Sequence, residues 1–366
     1  MMPIAGRLRA SLSFPNKIHS QRHHFRSLHS KQNTMPSPQL RCNATTTQSS
    51  QLWKDIVETY DKARAAQAST ITDTSTDVHL DNSVPFILKI AAQLRDKPKG
   101  PPPPNSNDST SPKPKKEWKN PFLPPEKDLF VCHLSETHSL VLNKFNILPH
   151  HALVITREFI PQEDPLTAAD FTATWQVMEA MPSGGLAYFN RGPVSGASQP
   201  HKHMQIIPLP LNPLSPIVET SENRQNVQDP PFWPAINEAT AGKPTGSAGA
   251  TSVSSFPFAN FVARIGREIS GEEIAETHAT LVDLAFKAAI NKSVASASDF
   301  SKFSYNTIAT RDFLMVVPRN KEGSGPVSCN AMAFAGSFFV RGVDELEYIK
   351  EQGPFKILKD VGIATS

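Results

Sequence analysis

Two proline-rich interruptions constrain this chain more than any other feature. The first, KPKGPPPPNSNDSTSPKPKKEWKNP, runs from Lys97 to Pro121, and the second covers 210–257, where Pro, Ser, Gly and Ala dominate. Proline fixes φ and removes a backbone donor, so neither stretch supports a long helix or a central strand. The chain holds 33 prolines in 366 residues, about twice the ordinary usage of ~5%. The periodic sequence is therefore cut into pieces, and each must bury its apolar face against another. The first tract reads as a solvated linker and the second as a long, flexible insertion.

Charge divides the chain again. Residues 1–50 carry Arg7, Arg9, Lys17, Arg22, Arg26, Lys31 and Arg41 and no acid. The whole chain has a net charge of only +3, so the body is mildly acidic and any anion site in it is local. That balance argues against a nucleic-acid binder. The leader is rich in Ser, Arg and His and resembles a transit peptide. Its alternatives are a disordered tail or an extension ahead of a start at Met35. The expected location is the cytoplasm, with mitochondrial targeting by the leader as the alternative. No apolar run reaches the ~18 residues of a spanning helix, so no membrane role is expected. Three cysteines, Cys42, Cys132 and Cys329, exclude a disulfide framework and a CxxC zinc site.

In the body, Trp53, Ile56, Val57 and Tyr60 mark one face of a helix over 51–68. Val84–Leu94 is a further apolar segment. Leu129–Leu134, Leu140–Phe145 and Ala152–Thr156 read as strands. Thr167 and Asp170 form a capping box for a helix over Leu166–Met181, with Phe171, Trp175 and Met178 as its stripe. Strands follow at Leu186–Arg191 and His203–Leu209. Beyond the second proline-rich tract, Phe261–Ile265 is a strand. Ser270 and Glu273 cap a helix with Ile274, Leu281, Ala285 and Ala288 on its face. Phe313–Val317 and Ser337–Val340 are strands. Strands and helices do not alternate, so the fold class is α+β, an antiparallel sheet with flanking helices. ALVITRE at 152–158 and FLMVVPR at 313–319 echo each other and suggest two pseudo-repeated halves. The domains are then a leader (1–50), an N-terminal domain (51–210, with the linker 97–121), the insertion (211–257) and a C-terminal domain (258–366).

The chemistry concentrates in YFNRGPVSGASQPHKHMQIIPLP, residues 188–210, a strand, a glycine turn and a second strand. Alternate side chains on a strand share a face, ~6.6 Å apart. His201, His203 and Gln205 therefore point one way, and Lys202, Met204 and Ile206 the other. The turn offers backbone N–H groups and the hydroxyls of Ser195 and Ser198, and Gly192 and Gly196 let backbone approach an anion. Three readings compete. Histidines two apart on a strand can hold a metal, but no acid follows until Glu219, so the ligand set is short. A neutral imidazole can attack phosphorus and carry the group onward, with Gln205 holding phosphoryl oxygens. The plainest reading is a core histidine pair.

GPVSGASQPHKHMQ resembles the active-site segment of the diadenosine tetraphosphate phosphorylases, or ATP adenylyltransferases. These belong to the galactose-1-phosphate uridylyltransferase branch of the histidine-triad superfamily. NPFLPPEKDLFV at 120–131, LVLNKFNILPHHALVITREF at 140–159, SYNTIATRDFLMVVPR at 304–319 and NAMAFAG at 330–336 are similar as well. The galactose enzymes carry HPHxQ where this chain has HKHxQ. The resemblance implies a histidine-triad-like fold and a nucleotidyltransferase that phosphorolyses diadenosine tetraphosphate, reversibly, to ATP and ADP. His203 would attack the α-phosphorus and carry AMP, with His201 and Gln205 as the other catalytic residues. Lys97, Asn143, Lys144, Asn190, Gly196, Ala197, Ser198, Gln199, Asn306 and Arg311 would bind substrate. Arg311 stands where the family has a lysine, which keeps charge but not a compact ammonium. No tightly bound cofactor is implied, and magnesium would arrive with the polyphosphate. The expected partners are nucleotides (dinucleoside polyphosphates, ATP, ADP and phosphate), not nucleic acid or membranes. A metal-dependent enzyme with a strand-borne HxH site is the alternative.

Overall fold

The structure is a computed structural model that describes residues 46–71, 75–90, 118–211, 230–266, 268–296 and 299–365. The first helix, α1 (Thr46–Ala65), leads into β1 (Thr70–Ile71) and the hairpin of β2 (Ser75–Asp81) and β3 (Val84–Ile90). Then come β4 (Phe130–His133), β5 (His138–Leu142), β6 (Phe145–Asn146), β7 (Ala152–Thr156), α2 (Ala168–Ala180), β8 (Gly185–Arg191) and β9 (His203–Pro208). The rest comprises α3 (Trp233–Thr240), β10 (Phe261–Arg264), α4 (Gly271–Asn291), β11 (Tyr305–Ala309) and β12 (Phe313–Pro318). A short ribbon of β13 (Gly323–Ser324) and β14 (Val327–Ser328) precedes β15 (Ser337–Val340), α5 (Val343–Gln352) and α6 (Pro354–Val361).

One antiparallel sheet of eight strands organises the molecule, in the order β10-β12-β11-β8-β9-β7-β5-β4. The C-terminal half adds β11, β12 and β10 directly onto β8. The two halves share that one sheet, five strands from the N-terminal half and three from the C-terminal half. Both echoing phrases do form internal strands, β7 and β12. A smaller sheet joins β15 and β3 in parallel, with β2 antiparallel at its edge.

Strand alternation sorts the core into two layers. One face carries Leu140, Val154, Met204, Ala187 and Leu314 and is covered by α1, α2 and α4. Both long helices start as their sequences require. Thr167 Oγ accepts the Asp170 N–H while Asp170 accepts the Thr167 N–H, and Ser270 and Glu273 do the same. Helix α1 buries Leu52, Ile56, Tyr60 and Ala63, a face rotated from the one read from Trp53 and Val57, which stay half-buried. On α4, Ala289 and not Ala288 is fully covered.

The opposite sheet face is split. Leu186, Tyr188, Ile207, Ile308, Met315 and Val317 lie under β3, α6 and the 230–258 segment, where Phe86, Phe232, Phe256 and Phe355 interlock. A separate patch of Val141, Leu153 and Ile155 is capped by Phe122. Two domain expectations change as a result. The described part of the supposed insertion 211–257 is packed, with Phe232 and Phe256 buried and Trp233 stacked on Phe313. The end of the supposed linker, from Trp118 on, is docked onto the protein. The remainder of that tract, the residues before 46, and the expected continuation of β3 to Leu94 lie outside the described residues.

Candidate active site

The site lies between the two apolar patches of the second sheet face, where β8 and β9 pair. Their register sets Tyr188 opposite Gln205, and that of β7 and β9 sets Ile155 opposite His203. Lys202 and Met204 face the other way, Lys202 onto Asp170 and Met204 onto the Thr174 hydroxyl. His201, His203 and Gln205 thus share the open face, as alternation requires.

The two histidines have different surroundings. His203 is buried, and its Nδ1 lies 2.8 Å from the carbonyl oxygen of His201. A carbonyl only accepts, so Nδ1 carries the proton and Nε2 the lone pair. Its backbone N–H donates to Gln162 Oε1, and Gln162 Nε2 donates to the Asn190 carbonyl. Phe122 packs 5.5 Å from both imidazoles. His201 has both ring nitrogens engaged by the protein, Nε2 with Thr156 and Nδ1 with the Asn120 side chain. Burial holds its imidazole below the ordinary histidine range, against the opposing effect of its backbone bonds. That arrangement leaves His201 no coordination position and removes the metal reading of the HxH pair. Among the described residues no group of three or more His, Cys, Asp or Glu is placed to hold a metal ion.

Two side-chain amides flank His203 with their oxygens tied back. Gln205 Oε1 accepts from the Tyr188 hydroxyl at 2.8 Å. Asn190 Oδ1 accepts from Asn306 Nδ2 at 2.8 Å and from the Ala331 N–H at 3.0 Å. Both amides therefore offer their NH2 groups, which donate to an anion but do not take up a proton near neutral pH. Asn306 also donates to the Ser195 carbonyl, and its own Oδ1 accepts from Arg319 at 2.6 Å.

The glycine turn rests on the C-terminal half. Gly192 and Gly196 have φ of 90° and 82°. A β-carbon on Gly196 would stand 2.7 Å from the Cys329 carbonyl, and one on Gly192 would collide with Ser304. Glycine is thus required for close packing inside the protein, a reason distinct from approach to an anion. Ser195 is buried and donates its hydroxyl to the Gly192 carbonyl, so it closes the turn and does not face a ligand. Ala197 is exposed, and Gly196, Ser198 and Gln199 are half-buried along the rim. Beneath them Arg319 donates to the carbonyls of Ser195, Cys329, Lys321, Glu322 and Val361. Burial lowers its pKa to about 10, which leaves it cationic at neutral pH.

Asn143 reaches the site through a chain of contacts. Its Nδ2 bonds His151 Nδ1 at 3.0 Å, and the His151 ring lies 6.2 Å from Tyr188. Lys144 is exposed and paired with Glu126 at 2.8 Å. Arg311 is not brought to this cluster. It is exposed beside Gly184, six residues along β8 from Asn190, roughly 20 Å at strand rise. Lys97 lies outside the described residues. Asn120, Gln162, Tyr188 and Arg319 complete the site; Asn120, Tyr188 and Arg319 lie in the motif segments but carry no role that those motifs assign, and Gln162 lies in none of them.

A strand-borne imidazole with a fixed lone pair, two amide donors and a glycine turn define a group-transfer site for an anionic substrate. Comparison with known proteins narrows this. Residues 42–221 match the model of the Ap4A phosphorylase N-terminal domain, and residues 254–364 that of the ATP adenylyltransferase C-terminal domain. The chain belongs to the family of Ap4A phosphorylases (ATP adenylyltransferases), Ap4A being diadenosine tetraphosphate. It is 26% identical over 257 residues to diadenosine 5',5'''-P1,P4-tetraphosphate phosphorylase 2 of Saccharomyces cerevisiae, covering 63% of this chain and 72% of the relative. It is 25% identical over 300 residues to Protein APA1 of the same yeast, covering 77% and 83%. The fold is shared with the crystal structure of yeast Ap4A phosphorylase Apa2 in complex with AMP, with a TM-score of 0.67 and 22% identity over 86% of this chain and 96% of that one. The Apa2 complex with Ap4A gives a TM-score of 0.66 at 23% identity, over 86% of this chain and 97% of that one.

Proposed function

We propose that this enzyme phosphorolyses diadenosine tetraphosphate, reversibly, to ATP and ADP through an AMP group carried on His203. The observation that carries this reading is the bond from His203 Nδ1 to the His201 carbonyl, which puts the attacking electron pair on Nε2. Nε2 attacks the α-phosphorus, the bond from that phosphorus to the bridging oxygen breaks, and ATP leaves with the electron pair. Orthophosphate then attacks the same phosphorus, the P–N bond breaks, ADP departs and Nε2 regains its lone pair. The Gln205 and Asn190 amides donate to the phosphoryl oxygens as charge builds on them. Arg319, under the turn, adds a fixed positive field without touching the reacting atoms.

The acceptor follows from the same donors. Water needs a base to remove its proton during attack, and Gln205 is not one. Orthophosphate is already ionised. ADP should therefore form only when phosphate is supplied, and rapid release of free AMP in phosphate-free buffer contradicts the reading. The direct test maps label from α-labelled dinucleotide after an alkaline quench. The phosphoramidate should survive base, be lost in mild acid and sit on the peptide containing His203. His203→Asn should lower the rate roughly 10³-fold or more, about 4 kcal/mol of barrier, with binding changed much less. Full labelling of that variant overturns the mechanism.

Magnesium is proposed to enter with the polyphosphate as its counterion and not as a resident ion. For location, the cytoplasm is the proposal, and a reporter fused to residues 1–50 tests it. Accumulation of that reporter in mitochondria would favour import.

A further inference from the structure

The protons around His201 can all be assigned, and the assignment singles out a residue at the end of the proline-lysine tract. His201 Nε2 lies 2.9 Å from the Thr156 carbonyl, which only accepts, so Nε2 carries the proton. The Thr156 hydroxyl, 2.8 Å from the same nitrogen, gives its own proton to the Glu158 carbonyl and therefore also accepts. Nδ1 then holds a lone pair and needs a donor. Asn120 supplies it: its Oδ1 accepts the Phe122 N–H at 3.0 Å, which orients the amide, and its Nδ2 lies 3.0 Å from Nδ1. Asn120 Oδ1 is further from Nδ1, at 3.4 Å.

Among the described residues, the groups facing this ring are otherwise uncharged. Phe122 and Phe159 stand edge-on at 5.5 Å each, and Glu158 meets the cluster through its main-chain carbonyl. On its own strand, His203 shares the face and Lys202 points away to Asp170. A second proton on His201 would place an N–H against the Asn120 N–H. It would also put a cation beside the imidazole that becomes cationic when Nε2 bonds phosphorus and Nδ1 keeps its proton.

The same residue fastens a short strap. Two residues before it, Trp118 Nε1 donates to Gln199 on the glycine turn, and two residues after it Phe122 packs against His203. We propose that Asn120 is a positioning residue for the nucleophilic strand, one that holds His201 as the neutral Nε2–H form and pins residues 118–122 across the imidazole pair. This rests on His203 being the nucleophile; the tautomer of His201 does not.

The experiment uses the full chain with ¹⁵N-labelled histidine. Long-range proton–nitrogen spectra, with His201→Gln identifying the signals, should show a neutral Nε2–H ring from about pH 5.5 to 8. Asn120→Asp replaces the donor by a charged acceptor. His201 in that variant should become imidazolium at neutral pH, and the acid limb of turnover should move up by more than one pH unit. Asn120→Ala should lower kcat about 10-fold with KM within about two-fold and an unfolding midpoint near the parent's. An imidazolium or Nδ1–H pattern in the parent, or an unmoved pH profile in Asn120→Asp, overturns the proposal. Because the spectra need no substrate, a neutral Nε2–H ring in a chain without phosphorolysis would defeat the functional reading and leave the assignment of His201 standing.

Discussion

The hydroxyl of Tyr188 donates to Oε1 of Gln205 at 2.8 Å, between residues that face each other across β8 and β9. Burial raises the phenol far above its usual range, so it remains a donor at any working pH. The bond decides which end of the Gln205 amide meets substrate. Tyr188→Phe frees the amide to turn its oxygen toward the phosphoryl group. The expected result is a loss of about 10-fold in kcat with little change in KM. Stability should fall by about 1 kcal/mol, read from urea melts. Unchanged kcat would show that the amide is oriented by something else.

Arg319 holds the turn from below with a planar fork that spans several carbonyls at once. Lysine keeps the charge but not the fork. Arg319→Lys should cost about 3 kcal/mol through carbonyls left without donors, and dinucleotide binding should weaken as Ser195 and Asn306 lose their common anchor. Denaturant melts and calorimetric titration with the dinucleotide measure the two effects. Parental affinity in the folded variant would separate Arg319 from the anion turn.

Behind the catalytic strand, Asp170 accepts from His138 Nε2 at 3.0 Å and lies 3.3 Å from Lys202 Nζ. Burial alone would raise this carboxyl, but His138, Lys202 and Thr167 outweigh it and bring it to about 2 from 3.8. A depressed carboxylate stabilises the fold fully above its unfolded pKa and loses that contribution as pH falls through the folded value. Asp170→Asn should therefore cost about 3–5 kcal/mol at pH 7, because it leaves Lys202 buried and unpaired. The gap to the parent should narrow between pH 4 and 2. A constant gap across that range would sink the account.

Lys89 is buried on β3 with its ammonium 3.4 Å from the Thr76 hydroxyl, and burial lowers its pKa to about 8. Between that value and 10.5 the unfolded chain binds more protons than the folded one, so stability rises with pH there. Lys89→Met should raise stability at pH 7, by an amount on the order of 1–3 kcal/mol. The advantage should shrink as the pH passes 10. Thermal melts at both pH values check this, and a destabilised variant would show that Lys89 has a favourable partner.

Much of this site is written in local sequence. Alternation alone put His201, His203 and Gln205 on one face, and both capping boxes formed as their residues specify. Most of the readings that failed depended on distant partners. Asn120 reads as the tail of a solvated tract because its bond to His201 crosses 81 residues. Arg319 directly follows an apolar strand phrase, and the carbonyls that make it tolerable come partly from the next few residues and partly from distant loops that carry Ser195 and Val361. Ser195 looked like a ligand because its turn is polar, yet its hydroxyl is used within the turn itself. The strand β11 was visible only as part of a family likeness, since all five of its residues are buried and it shows no alternation. Residues 230–257 have the composition of a flexible insertion, and their aromatic residues become core only because β3 and α6 lie beside them.

The unbroken pairing of β8 with β11 has a consequence for how the chain may be divided. The turn that would cradle phosphate is made by one half and braced by Asn306 and Arg319 of the other, whose Ala331 also holds the Asn190 side chain on β8. Neither half should therefore work as a module by itself. Severed between residues 211 and 230, the polypeptide should behave as two complementary fragments: each inert and prone to aggregate through its bare sheet edge, and competent again once they reassociate. Activity would then follow the product of the two fragment concentrations until the pair saturates.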